Sequence, residues 1–133
     1  MAGTLVANTI NTDTGLFSTN NAYLGVAKAW VQFSATSGTI TVNKSFNISS
    51  VTRNSSGTYV ANFATTMTDT GYVPVGSSGG TASTYNSGAL AMFQTASTGV
   101  STAPTTSSFL FSTLNSGGST FDPAYINIAV FGN

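Results

Sequence analysis

A chain of 133 residues is the length of one domain and can bury a core of its own. Charged residues are 5% of it, against about a quarter in an ordinary domain, and three Lys or Arg are too few to displace the counterions that nucleic-acid binding requires. There is no Cys, His or Glu, so disulfides, thiolate metal sites and the commonest general base are excluded.

Ser and Thr together make up roughly a third of the chain. The polar surface is therefore built from hydroxyls and amides, which suits packing against copies of itself or against neutral partners such as sugars. The formal net charge is zero, which favours association, so a subunit held in an assembly fits this composition better than a freely diffusing protein. Hydrophobic residues at 41%, with nine Phe and five Tyr, supply enough apolar area to fold. The start, "MAGTLVANTI", lacks the basic and continuous apolar regions of a secretory signal. No run approaches the ~18 apolar residues of a membrane span.

In chain order, short β-branched and aromatic runs alternate with Gly, Asn, Ser and Asp clusters, and helical periodicity is nearly absent. Residues 5–10 read as a short strand or extended arm, with Leu5, Val6 and Ile10 as its attachment residues, and 11–22 as turn-like. In the strand 26–34, Ala27, Ala29, Val31 and Phe33 share one face and Lys28, Trp30 and Gln32 the other. Residues 39–43 form a further strand. Strands 46–53 and 58–64 make a hairpin around Asn54-Ser55-Ser56-Gly57, where Gly accepts positive φ, and Tyr59, Ala61 and Phe63 face the core.

Tyr72–Val75 begin another strand, and the Gly/Ser-rich stretch 76–88 reads as a loop. Residues 89–95 and 109–114 are strands on either side of a polar loop, with Met92, Phe109 and Phe111 in the core. The strand 125–131 has apolar residues on both faces, which places it centrally or against a second surface. About eight short strands without a helix predict an all-β chain. We expect an antiparallel, jelly-roll-like β-sandwich over 27–133, behind an extended N-terminal arm over 1–26.

Candidate chemistry is sparse. Neither Lys28 nor Lys44 has a Ser-x-x-Lys spacing. Asp13 and Asp69 each sit in Thr-Asp-Thr-Gly, and Asp122 precedes Pro123; all three read as turn residues before calcium ligands or a carboxylate pair. Asn-x-Ser/Thr at Asn43, Asn47 and Asn54 is what chance gives in so Ser/Thr-rich a chain. "GSSGG" lacks the Lys and helix of a phosphate loop. We expect no catalytic, cofactor or metal residues and no enzyme activity. The aromatics Trp30, Tyr23, Tyr85 and Tyr125 remain as recognition candidates, to stack on sugars or fill a subunit contact.

"AKAWVQF", "GTITVNKSFNISSVTRNSSGTYVANFATTMTDTGY" and the final "YINIAVFG" together resemble a module of virion proteins in tailed bacteriophages, especially marine and cyanobacterial ones. The match covers about residues 27–75 and the last strand. The resemblance implies a β-rich fold, a tendency to homotrimers, assembly in the host cytoplasm and a place in the virion beside other capsid or tail proteins. In tail fibres the module follows a long stalk; here it follows a leader of 26 residues, which favours a capsid decoration or knob, or a short tail appendage. The alternative is a tail-fibre-type receptor-binding module for host surface polysaccharide. No nucleic-acid partner and no membrane insertion are expected. On this reading Lys28, Trp30, Tyr85 and Tyr125 are the oligomer or ligand contacts, with Lys28 at the rim. A sheet face covered by the chain's own arm is the rival for Trp30.

Overall fold

The computed structural model describes residues 9–12, 15–18, 25–80, 90–93, 103–115 and 117–132. They contain ten strands: β1 (Thr9–Thr12), β2 (Gly15–Ser18), β3 (Ala29–Ser34), β4 (Thr41–Phe46), β5 (Ile48–Ser55), β6 (Thr58–Phe63), β7 (Val73–Gly79), β8 (Leu90–Phe93), β9 (Ser108–Leu114) and β10 (Tyr125–Phe131). Eight of them form two antiparallel sheets, β4-β3-β10-β7 and β5-β6-β9-β8. The chain is an all-β antiparallel sandwich.

Alternation decides what lies between the sheets. Ala29, Val31 and Phe33 of β3 and Ile126, Ile128 and Val130 of β10 face inward from the first sheet. Ile48 and Val51 of β5, Tyr59, Ala61 and Phe63 of β6, and Phe109 and Phe111 of β9 meet them from the second. Phe33 crosses the gap edge-on to Tyr59 and Phe111, with ring centroids 5.6 and 6.2 Å apart. Aromatic edge-to-face contacts of this kind add to simple area burial. The expected inward faces of β3 and β6 are found, and β10 is a central strand, paired on both sides, with Ile126, Ile128 and Val130 inward.

Three features differ from the expectation, the first being that Phe46 ends β4, so the strand expected over 46–53 starts at Ile48 and runs to Ser55. Residues 76–79 are not a loop: β7 runs on through Gly79, each residue paired with β10 without a break in register. A Cβ at Gly76 would stand 2.5 Å from the Asn127 carbonyl oxygen, so the glycine lets β7 close onto β10. Composition suggested a loop because Gly and Ser are weak strand formers by themselves; the central strand beside them supplies the pairing. Within the expected extended arm, β1 and β2 pair as a hairpin, with Ile10 opposite Phe17, so the stretch 11–22 is not turn throughout. Leu5 and Val6 lie outside the described residues.

The chain passes from the first sheet to the second at Asn47, between β4 and β5. Asn47 has φ of 53°, in the left-handed region where Asn is among the few side chains tolerated. Its Nδ2 donates to the carbonyls of Lys28 and Thr65, both at 3.2 Å, and its Oδ1 accepts from the Thr65 N–H at 2.7 Å. A residue that matched only a chance glycosylation pattern is thus the fastening of the corner.

Candidate functional site

The outer face of the first sheet carries the candidate site. Since opposite residues in an antiparallel register share a face, the pairing puts side chains into rows across the strands. One row runs Phe46, Trp30, Ala129, Val75 from β4 to β7. The next runs Lys44, Gln32, Asn127, Ser77. Alternate residues of a strand are about 6.8 Å apart, which is the separation of the rows. Val73 and Phe131 extend the face on the side of the first row, and Tyr125 and Gly79 on the side of the second.

The face therefore has an apolar half and a polar half. Phe46 (54% exposed), Val73 (58%), Val75 (44%) and Trp30 (38%) are open to solvent, and beside Trp30 the inward-facing Ala29 and Val31 are buried. In the polar half the Gln32 Nε2 donates to Asn127 Oδ1 at 3.0 Å. That bond orients both amides, and it uses neither the Gln32 Oε1 nor the two Asn127 Nδ2 hydrogens. Lys44 stands at the β4 end of this row and makes no ion pair among the described residues. Between the two rows lies a hollow of about 570 Å³, lined by Trp30, Gln32, Lys44, Val75, Ser77 and Asn127 with the strand backbone as its floor.

A second polar cluster sits between the sheets at one end. The Asp122 carboxylate accepts from Arg53 Nε at 3.1 and 3.2 Å and from Nη2 at 2.7 Å, from the Gly57 N–H at 2.9 Å and from the Tyr59 hydroxyl at 2.6 Å. Burial pushes the carboxyl pKa up, but the bonds from Arg53, Gly57 and Tyr59 and the Arg53 charge outweigh it and hold it at about 2. Burial and the bond to Asp122 raise the Tyr59 hydroxyl. Gly57, at φ of 66°, is held tightly here: a Cβ would stand 2.6 Å from the Phe121 nitrogen and 2.8 Å from the Thr113 oxygen. With every acceptor position engaged by the protein itself, this cluster ties the β5–β6 turn to the segment before β10.

Of the residues singled out in the sequence, Trp30 and Tyr125 share the outer face. Tyr125 is 61% exposed and lies over Gly79, covering an edge glycine that has no side chain of its own. Lys28 precedes β3; it is half-buried, and its N–H donates to the Val130 carbonyl at 2.7 Å. The cation in line with the polar row is instead Lys44, which the sequence reading passed over because a four-strand register was needed to place it. Phe46 was missed for the same reason. Tyr23, Tyr85 and Asp13 lie outside the described residues. Asp69 accepts from the Gly71 N–H at 2.7 Å, the turn expected of Asp-Thr-Gly. Asp122 is more than a turn residue: its partner Arg53 is 69 positions away. Comparison with protein-family models, curated proteins and solved structures finds no match for the chain.

Proposed function

We propose that the chain is a non-enzymatic structural subunit of a tailed-phage virion, a surface decoration or short tail appendage that assembles as a homo-oligomer, a trimer in the form the module's resemblance implies. The observation that carries this reading is the apolar half of the outer sheet face. Phe46, Trp30, Val73 and Val75 are exposed together on a rigid sheet, whereas large apolar side chains scattered singly would need no partner. Two aromatic side chains, Phe46 and Trp30, beside a polar row suit a subunit contact, and Lys44 stands in that polar row. The motifs over 27–75 and in the last strand supply the virion setting, with capsid or tail proteins as the attachment partners.

Sedimentation across a dilution series tests it. The protein should sediment as an oligomer, and Trp30→Ala should raise the dissociation constant about 30-fold, the effect of a contact residue worth about 2 kcal/mol. A compact monomer at micromolar concentration overturns the proposal.

A further inference from the structure

The hollow between the two rows of the outer face shares Trp30 and Val75 with the proposed subunit contact, but its polar row gives it a chemistry of its own that goes beyond assembly. We propose that it is a carbohydrate site, and that its ligand is a pyranose unit bearing a carboxylate, as in a uronic-acid polysaccharide.

The argument starts from the order of the rows. A pyranose has an apolar patch of C–H groups on one face and a rim of hydroxyls, and it is recognised by an apolar or aromatic surface set beside hydrogen-bonding groups. Trp30, Ala129 and Val75 form the first, and Gln32, Asn127 and Ser77 the second, one row away. The distance between rows, about 6.8 Å, is the scale of a single sugar ring. The hollow of about 570 Å³ lies within the range of small-ligand sites, about 300–1,000 Å³.

The polar row is also prepared. The Gln32–Asn127 bond restrains two amides that would otherwise lose side-chain entropy on binding, and both keep donors and acceptors beyond the one bond they make. Both side chains rise from strands paired along the sheet, so the spacing of the row is set by backbone hydrogen bonds.

Charge selects the acidic sugar. Lys44 is the cation lining the hollow, at one end of the polar row, with no carboxylate paired to it among the described residues. A carboxylate on the sugar ring meets that ammonium through a charge-assisted hydrogen bond. A protein surface laid over the polar row would have to bury Lys44 and desolvate both amides, so a second copy on the apolar half competes with the sugar at Trp30 and Val75 alone.

The test uses the full chain and its single tryptophan, Trp30, whose emission reports on this hollow. Trigalacturonate and maltotriose are titrated separately. Trigalacturonate should give a saturable change at about five-fold lower concentration than maltotriose in low salt, and the difference should close as salt rises. Lys44→Ala should make the two sugars equal. The double variant Gln32→Ala, Asn127→Ala should weaken both about ten-fold with an unchanged urea melt. Absence of a saturable response to either sugar overturns the proposal, as does an acidic preference that survives in Lys44→Ala. Emission that changes on diluting the protein but not on adding sugar assigns the hollow to a second copy and also overturns it. Because Trp30 and Val75 belong to both readings, the sugars are titrated at dilutions where sedimentation shows separated subunits, and assembly is read by sedimentation without sugar, so failure of one is distinguishable from failure of the other.

Discussion

The Asp122 cluster and the Gln32–Asn127 row are both polar, and both join segments that are far apart in the chain. They differ in what is left over. At Asp122 one carboxylate is surrounded by an arginine fork, a backbone N–H and a hydroxyl, with its side chain 13% exposed, and its acceptor positions are used internally. On the outer face two amides share one hydrogen bond in the open and keep the rest of their capacity. Removing a partner from the first leaves groups short of a partner away from bulk water; removing one from the second hands its neighbour to solvent. The first arrangement stabilises a fold, and the second is available to a ligand.

Four measurements sharpen or break this contrast. The largest effect should come from Asp122→Ala, which leaves Arg53, the Tyr59 hydroxyl and the Gly57 N–H without their acceptor; a urea melt should show a loss of about 3 kcal/mol. Tyr59→Phe removes a single bond to the carboxylate and should cost about 1.5 kcal/mol in the same assay.

Acid should act through the same group. The folded pKa of Asp122, about 2, lies below the roughly 3.9 of an unfolded aspartate, so its contribution is complete above about pH 4 and is lost as pH falls toward 2. Because Arg53 reaches water, the loss should be about 1 kcal/mol rather than the full linkage value. The difference between melts near neutral pH and near pH 2 should shrink by that amount in Asp122→Ala.

The smallest effect should be Gln32→Ala, within about 0.5 kcal/mol of the parent, since its partner Asn127 turns to water. A cost as large as that of Asp122→Ala would show that the outer row is structural, and the contrast would fail.

Legibility in the sequence follows the same division between local and distant causes. The inward sets Ala29, Val31, Phe33 and Tyr59, Ala61, Phe63 could be read because a period of two is written in consecutive residues. Gly57 was equally readable as a turn residue, since it meets the backbone demand there, but the turn is tighter than the expected Asn54–Gly57: β5 runs on through Ser55, which pairs with Thr58. The pairing of Lys44 with Gln32, of Gln32 with Asn127 and of Arg53 with Asp122 depends on which strands become neighbours, and no local pattern states that. Half of the candidate site was visible in Trp30 and Tyr125. The other half, Lys44, Asn127 and Ser77, exists only once β4, β10 and β7 lie beside β3.

The central place of β10 in the first sheet also sets an order of events during synthesis. It is the last strand of the sandwich in chain order, yet β3 and β7 both depend on it for pairing. The second sheet, β5 through β9, can be complete while the first is still a β3–β4 hairpin and a separate β7. Until residues 125–131 emerge, one side of the core has no cover, and the nascent chain presents Tyr59, Phe109 and Phe111 to whatever is nearby. Ribosome-bound chains halted before and after β10 would therefore differ sharply in protease resistance, and the interval between those two lengths is when a chaperone or a sister chain has access to the core.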